Sequence, residues 1–308
     1  MIGITLGDPA GIGPEIILKA LATMRDPKGI FIFGNKKILE TTARDMRLVQ
    51  HYRKIKSFIV DCVGNVPFQY SKTTKKTATV ALQSIISALQ YNVDIIITLP
   101  IVKETMKSLI PGFIGHTEYL AQYFRVNKYG MVGMAKHKKI MLVTTHVPLR
   151  RLFRKITPAV IVEKIMLLNW GMKKYFGLTN PTIGVCALNP HAFEFSLGED
   201  EKIKQGVAMA QRRGIHAEGP YPADSLFDRH FDAFLAMFHD QAMIYLKSKK
   251  NGLNFTMGLP IIRLSPLHGA ALDIAGTNRA DASGVTIALK EGIKMYKNAR
   301  KYEKNCVC

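Results

Sequence analysis

With 308 residues, 47% of them hydrophobic, the chain is globular and too long for one small core, which leaves one large α/β unit or two packed domains. It has no run of about eighteen apolar residues, Asp8 and Glu15 fall where a secretory leader would be basic and then apolar, and Cys62, Cys186, Cys306 and Cys308 show no CxxC spacing; a cytoplasmic protein with reduced thiols, no membrane span and no cysteine-based zinc site is expected. Forty-three Lys and Arg against 23 Asp and Glu give +20, which favours anionic ligands, but the basic groups are scattered and not interleaved with aromatics, so a solvated lysine-rich surface is expected and a nucleic-acid face is not.

In chain order, Ile2 to Leu6 is a short apolar run, followed by GDPAGIGPE at 7 to 15 and by IILKALATM with helical spacing. This predicts a strand, a Gly-rich turn and a helix with Pro14 at its first position, where proline has no needed amide to lose. Gly7, Gly11 and Gly13 free the backbone for close approach of a ligand, and the helix start offers free N–H groups. The turn is not the dinucleotide fingerprint, because the third glycine of GxGxxG would fall at Ile16.

Ile30 to Phe33 then predicts a second strand, Lys36 to Arg47 a helix, Ser57 to Asp61 a third strand, 67 to 77 a surface loop and Ala78 to Tyr91 a helix. The alternation argues for α/β. DIIITLP at 94 to 100 predicts a strand buried on both faces, with Lys103 just past its end. GHTEYLAQYF at 115 to 124 predicts a helix capped by His116 or Thr117, and KKIMLVTTHVPL at 138 to 149 a strand ending in His146. A helix over Pro158 to Phe176 is followed by TIGVCALNPHA at 182 to 192, a strand ending in His191. Residues 199 to 213 read as helix, GPYPADSLF at 219 to 227 as a loop, and Ala282 to Arg300 as a closing helix.

The stretch from Ala236 to Gly276 carries the densest polar chemistry in an apolar background. His239 and Asp240 follow FLAMF, Lys247 closes MIYL, Arg263 closes PII and His268 opens a Gly/Ala loop. Each polar group is expected where an apolar strand runs out, the place where open α/β sheets bind ligands. His146, His191 and His239 each end a separate buried-type strand. If those strands are parallel neighbours, three imidazoles converge into a metal site with open positions, suited to zinc, cobalt, nickel or iron and able to hold a substrate hydroxyl. Lys247, Arg263, His116 and Thr117 are the groups for a substrate phosphate or carboxylate, and an arginine inside LPIIRLS must find an anion if buried. His51, His137, His216 and His230 lie in basic or polar contexts and receive no role.

Together GDPAGIGPE, GHTEYLA, TTHVPL, ALNPHA, GPYPADSLF, MFHDQ, GLPIIR and HGAALDIAG, in this order over residues 1 to about 290, resemble the 4-hydroxythreonine-4-phosphate dehydrogenases, the PdxA family of pyridoxal phosphate synthesis. The resemblance implies a two-domain α/β/α sandwich of the isopropylmalate dehydrogenase type, with the active site in the interdomain cleft and completed across a homodimer interface. It divides the chain into a discontinuous domain, 1–118 with 256–308, that bears the cofactor loop, and a central domain, 119–255, that bears the metal ligands and dimer contacts. NAD or NADP is then held by the HGAALDIAG loop, through His268, Gly269, Ala271, Asp273 and Gly276, which accounts for the missing GxGxxG. One divalent ion (zinc, cobalt or magnesium) is held by His146, His191 and His239, the last supplied from the other subunit. Substrate contacts are His116, Thr117, Lys247, Asn254 and Arg263, and Asp240, Asp224 and Lys247 are alternatives for the general base.

The reaction so implied is oxidation of 4-phosphohydroxy-L-threonine at C3, with the hydroxyl on the metal and hydride passing to nicotinamide, followed by loss of CO2 to give 3-amino-2-oxopropyl phosphate. The same chemistry on a phosphorylated sugar acid, 4-phospho-D-threonate or 4-phospho-D-erythronate, is the alternative, because relatives with those substrates share the motifs. The chain departs from the family after NPHA, where FEFSLGEDE replaces a glycine-rich GExGxxGxEE run and places Phe193 and Phe195 beside a proposed ligand, and at Ala242, which replaces a glycine. A binding reading that takes the +20 charge as primary leaves the repeated strand-end histidines without a purpose.

Overall fold

The computed structural model describes residues 1–24, 27–249 and 251–306; Lys250 of the basic run at 247 to 250, and Cys308, fall outside them. Among the described residues there are eleven strands: β1 (Ile2–Thr5), β2 (Ile30–Gly34), β3 (Ile59–Asp61), β4 (Ile95–Thr98), β5 (Gly130–Ala135), β6 (Lys138–Leu142), β7 (Thr182–Cys186), β8 (His216–Tyr221), β9 (Ala233–Ala236), β10 (Leu253–Met257) and β11 (Ile262–Pro266). The chain divides into two compact units, Met1–Arg125 with Pro260–Ile293, and Val126–Leu259 with Lys294–Cys308. These divisions stand beside the expected 1–118 with 256–308 and 119–255. The α/β class is as expected. No described helix is long and apolar enough to cross a membrane, and the thiols of Cys62 and Cys186 are free.

The first unit orders its strands β3-β2-β1-β4-β11, and every neighbouring pair is parallel. The apolar runs account for this, since all four residues of β4 are buried and a fully covered parallel strand must be apolar on both faces. The chain leaves β1 for β2 on one side and returns to β4 on the other, so the loops after β1 and β4 flank a topological switch point. Helix Gly13–Ala22 opens with Pro14 in its first turn, as the sequence predicts. Helix Lys75–Gln90 starts three residues earlier than expected, because Thr74 and Thr77 form a reciprocal capping pair.

The second unit orders its strands β10-β5-β6-β9-β7-β8. β10 and β6 both run antiparallel to β5, and β6, β9, β7 and β8 are parallel. Its longest connection, helix Pro158–Phe176, begins behind the Thr157 cap and stops at Gly177, where a φ of 70° favours a residue without Cβ.

Three expectations are corrected here. Helix His116–Tyr123 opens behind Gly115 with no side-chain cap, so neither His116 nor Thr117 caps it. MIYL is not a strand but part of helix His239–Ser248, which buries Ala242, Met243 and Leu246, so Lys247 stands in a helix's last turn and not at a strand end. Arg263 is the second residue of β11 and does not close it. Strands β5, β8 and β10 were also not anticipated.

Candidate active site

The switch point in the first unit is built from three loops. Gly7, at φ 70°, lets the turn after β1 pass the loop after β4, since a Cβ there would lie 2.4 Å from the Pro100 carbonyl oxygen; the Asp8 amide donates to the same carbonyl at 2.9 Å. Asp8 is buried, its carboxylate accepting from the Ala10 amide at 3.0 Å and the Thr77 hydroxyl at 3.3 Å, and burial pushes its pKa above the ordinary value against those bonds. The close approach that Gly11 permits is to the chain itself, not to a ligand: a Cβ there would meet the Ala270 carbonyl oxygen at 2.6 Å, and the Ile12 amide donates to that oxygen at 3.0 Å.

The sequence-predicted cofactor loop, His268 to Gly276, is thus seated on the GDPAGIGPE turn. Its residues Ala270, Ala271, Leu272 and Asp273 line one side of a cleft of about 600 Å³, whose other side is Ile101, Val102, Lys103 and Glu104 from the loop after β4. Ala271 and Asp273 therefore face the cleft. His268 and Gly269 are exposed at the loop's start, with Nδ1 of His268 near the Gly269 carbonyl at 3.1 Å, and Gly276 (φ 80°) packs against the Tyr70 ring.

Arg263, His116 and Thr117 come together in the same unit. The Arg263 guanidinium is only 4% exposed; Nε and one terminal nitrogen donate to the Thr98 hydroxyl at 3.1 and 2.7 Å, and the other donates to the Thr117 hydroxyl at 3.4 Å. Burial pulls its pKa down to about 10, with the Glu118 carboxylate acting in the opposite direction. The Glu118 carboxylate offsets part of the charge of this buried arginine, and all three guanidinium nitrogens donate to threonine hydroxyls. The His116 pKa falls well below 6.5, first through burial and then through the charges of Arg263 and Lys103. Its Nε2 is closed to solvent and meets no hydrogen-bond partner among the described residues. A neutral imidazole, two hydroxyls and a guanidinium in one pocket form a set of donors suited to a phosphate or carboxylate.

In the second unit, β6, β9 and β7 are adjacent and parallel, so His146, His239 and His191 follow the carboxyl ends of three neighbouring strands. The strand geometry is the one the sequence reading required. Only two of the rings meet, however: the centroids of His146 and His239 are 6.0 Å apart, whereas the His191 ring lies against Phe195, and no three His, Cys, Asp or Glu among the described residues form a group able to hold a metal. His191 has φ 55° and directs Nδ1 to the Glu194 carboxylate at 3.0 Å. His239 directs Nδ1 to the Asp240 carboxylate at 2.7 Å. A carboxylate only accepts, so Nδ1 carries the proton in both rings and Nε2 is left as the ligating nitrogen, the arrangement that orients metal-binding imidazoles.

Three residues that sequence reasoning passed over hold these strand ends. Gln241 accepts from the Met237 amide at 2.8 Å and donates to the Ala187 carbonyl at 2.8 Å, linking the ends of β9 and β7. Asp200, fully buried, accepts from the Leu188 amide at 2.7 Å and from Asn189 at 2.9 Å, fixing the turn that carries His191. Glu194 is the third; the H-x-x-E spacing was the available signal. Asn254, in β10, has a side-chain oxygen that is buried and without a hydrogen-bond partner among the described residues. Lys247 and Asp224 are exposed on helices His239–Ser248 and Ala223–Leu226. Phe193 and Phe195 of the departing loop are also exposed.

The model of the pyridoxal phosphate biosynthetic protein PdxA family matches residues 26–291. A 4-hydroxythreonine-4-phosphate dehydrogenase of Sulfurihydrogenibium is 39% identical over 97% of this chain and 99% of its own length, and a D-threonate 4-phosphate dehydrogenase of Cupriavidus necator is 35% identical over 96% and 97%. The crystal structure of 4-hydroxythreonine-4-phosphate dehydrogenase from Klebsiella pneumoniae superposes with a TM-score of 0.79 at 28% identity, over 96% of this chain and 98% of that one. With the motifs, the parallel strand ends and the cofactor-type loop all in place, the chain belongs to the PdxA family and is an oxidoreductase.

Proposed function

We propose that the enzyme oxidises and decarboxylates 4-phosphohydroxy-L-threonine to 3-amino-2-oxopropyl phosphate, using NAD or NADP and one divalent ion. The observation that carries this reading is the pocket of Arg263, Thr98, Thr117 and neutral His116, in the same unit as an intact HGAALDIAG loop lining an open cleft. Arg263 supplies a fixed fork for the substrate phosphate. His116 stays uncharged and presents Nε2 as donor or acceptor according to its tautomer. By motif match Lys247 and Asn254 are further substrate contacts, and the buried side-chain oxygen of Asn254, which meets no hydrogen-bond partner among the described residues, supports a polar contact at that residue.

The residues present fit a dinucleotide, since small residues of the loop leave the cleft beside Ala270 to Asp273 open. They fit a metal in part: His146 and His239, whose ring centroids are 6.0 Å apart, would hold it through their Nε2 atoms, and His191, which lies against Phe195, would have to join them by rearrangement or from a second copy in a homodimer. When bound, nicotinamide supplies the hydride acceptor and the ion supplies polarisation of the substrate's C3 oxygen. Asp240 is engaged with the His239 ring and serves to orient it. Asp224 and Lys247, both exposed, are then the groups to take the C3 hydroxyl proton.

A second reading, oxidation of 4-phospho-D-threonate, is favoured by the 35% identical Cupriavidus relative. Absorbance of reduced cofactor with 4-phosphohydroxy-L-threonine, 4-phospho-D-threonate and 4-phospho-D-erythronate in parallel separates the two. Highest kcat/KM for the amino acid supports the first, and highest for a sugar acid replaces it. Chelation should abolish that absorbance change and metal add-back restore it; turnover indifferent to chelator counts against the ion.

A further inference from the structure

The buried carboxylate of Glu15 plays no part in the chemistry above, yet it closes a network that reaches across 265 residues of sequence. Glu15 is 1% exposed, and its Oε1 accepts from the Ala280 amide at 2.8 Å and from Lys19 Nζ at 2.6 Å. Lys19 Nζ donates further to the carbonyls of Asn278 at 2.9 Å and Ala280 at 3.1 Å. Two more ties act on the other end of the loop: the Ile12 amide to the Ala270 carbonyl, and the Ser71 hydroxyl to the Leu272 carbonyl, with the Ser71 amide in turn on the Ala10 carbonyl. We propose that Glu15 and Lys19 are positioning residues that clamp the His268–Ala280 segment onto the GDPAGIGPE helix and so preform the dinucleotide cleft.

The physical case is one of connectivity. Residues 268 to 282 contain no strand or helix, so their backbone groups are not held by a ladder of their own. An ammonium satisfied by a carboxylate and two carbonyls is a charge-assisted junction, and its carboxylate also takes the amide of the residue it anchors. The spacing of Glu15 and Lys19, four apart on one helix, places both groups on one face. Loss of either partner leaves buried polar groups unsatisfied and loosens the loop's distal end, where the Asn278 side chain on the Met46 carbonyl at 3.3 Å remains, while Ile12 and Ser71 still hold the other end. The fold would survive, and the loop would lose its fixed geometry.

This inference rests on the loop binding NAD or NADP, and the test separates the two. Amide hydrogen exchange of peptides covering 268–282 is measured in wild type, Glu15→Gln and Lys19→Met, without and with NAD or NADP, alongside the KM for dinucleotide and for phosphorylated substrate. The clamp predicts exchange about tenfold faster in that segment in both variants without cofactor, unchanged exchange in the second unit, and a dinucleotide KM raised about tenfold with substrate KM within about twofold. Wild-type protection by dinucleotide with variants that exchange and bind as wild type overturns the clamp alone. Equal rises in both KM values overturn it too, since general loosening would then suffice. A wild-type loop that gains no protection from either dinucleotide overturns the cofactor reading, and the positioning role with it.

Discussion

His116 is held neutral by burial and by the charges of Arg263 and Lys103, and that state has a consequence for pH. Its folded-state pKa lies below the ordinary 6.5, so on acidification the unfolded chain takes the proton first. The stability tied to neutral His116 is complete above pH 6.5 and is lost as the pH falls toward the folded value. Denaturant unfolding from pH 7.5 to 5 should show wild type losing stability more steeply than His116→Gln; parallel slopes would refute the assignment. Arg263→Lys keeps one charge but not the fork on Thr98 and Thr117, and should raise KM for the phosphorylated substrate by about tenfold or more, while KM for dinucleotide stays put. The identity of both residues was legible from their place in GHTEYLA and GLPIIR. The proton state of His116 was not, because it depends on groups from three separate segments. Nor was the bond of Asp240, one of three alternatives for the base, to the His239 ring legible in the sequence.

At the level of the element, the repeated pattern of an apolar run followed by histidine was legible in the sequence, and the parallel adjacency of β6, β9 and β7 meets the condition under which those strand ends lie side by side. Three strands escaped notice for physical reasons. β5 carries Gly133, where a Cβ would come within 2.2 Å of Leu246, so packing of helix His239–Ser248 excludes the branched residues that mark strands. β8 holds Gly219 and Pro220, tolerated because it is last in its unit's strand order. β10 does alternate, with Leu253, Phe255 and Met257 apolar against Asn254 and Thr256, but it comes directly behind a polar, lysine-rich stretch that reads as loop. MIYL misled because four apolar residues fit a strand and a buried helix equally well. Gln241, which links Met237 and Ala187, gives this level its prediction. Gln241→Ala should cost about 1–3 kcal/mol in denaturant unfolding, since it strands a buried amide and a carbonyl at the ends of β9 and β7; a loss within about 0.3 kcal/mol would show that water replaces the link.

For the molecule as a whole, the pairing of His146 with His239 decides which mixture of subunits is informative. Because those two rings are neighbours in one chain, His239→Ala should be mixed with His191→Ala. If the ion draws on both copies of a homodimer, verified heterodimers regain turnover from one intact site; dead heterodimers would place every ligand within one chain. The +20 charge is tested by salt: if the lysines are only a solvated surface, binding of arbitrary DNA should be weak at 150 mM salt and without sequence preference, and tight binding there would revive the nucleic-acid reading. Both compact units are discontinuous. The first lacks β11 until residues 262–266 are made, and the second takes in the end of helix Ser283–Cys306, where Asn298 donates to the Tyr175 carbonyl and Glu303 pairs with Lys174. During synthesis, then, the first unit waits with apolar β4 short of one neighbour until residues 262–266 emerge, and the second waits for the later part of helix Ser283–Cys306, a window in which chaperone dependence should be greatest.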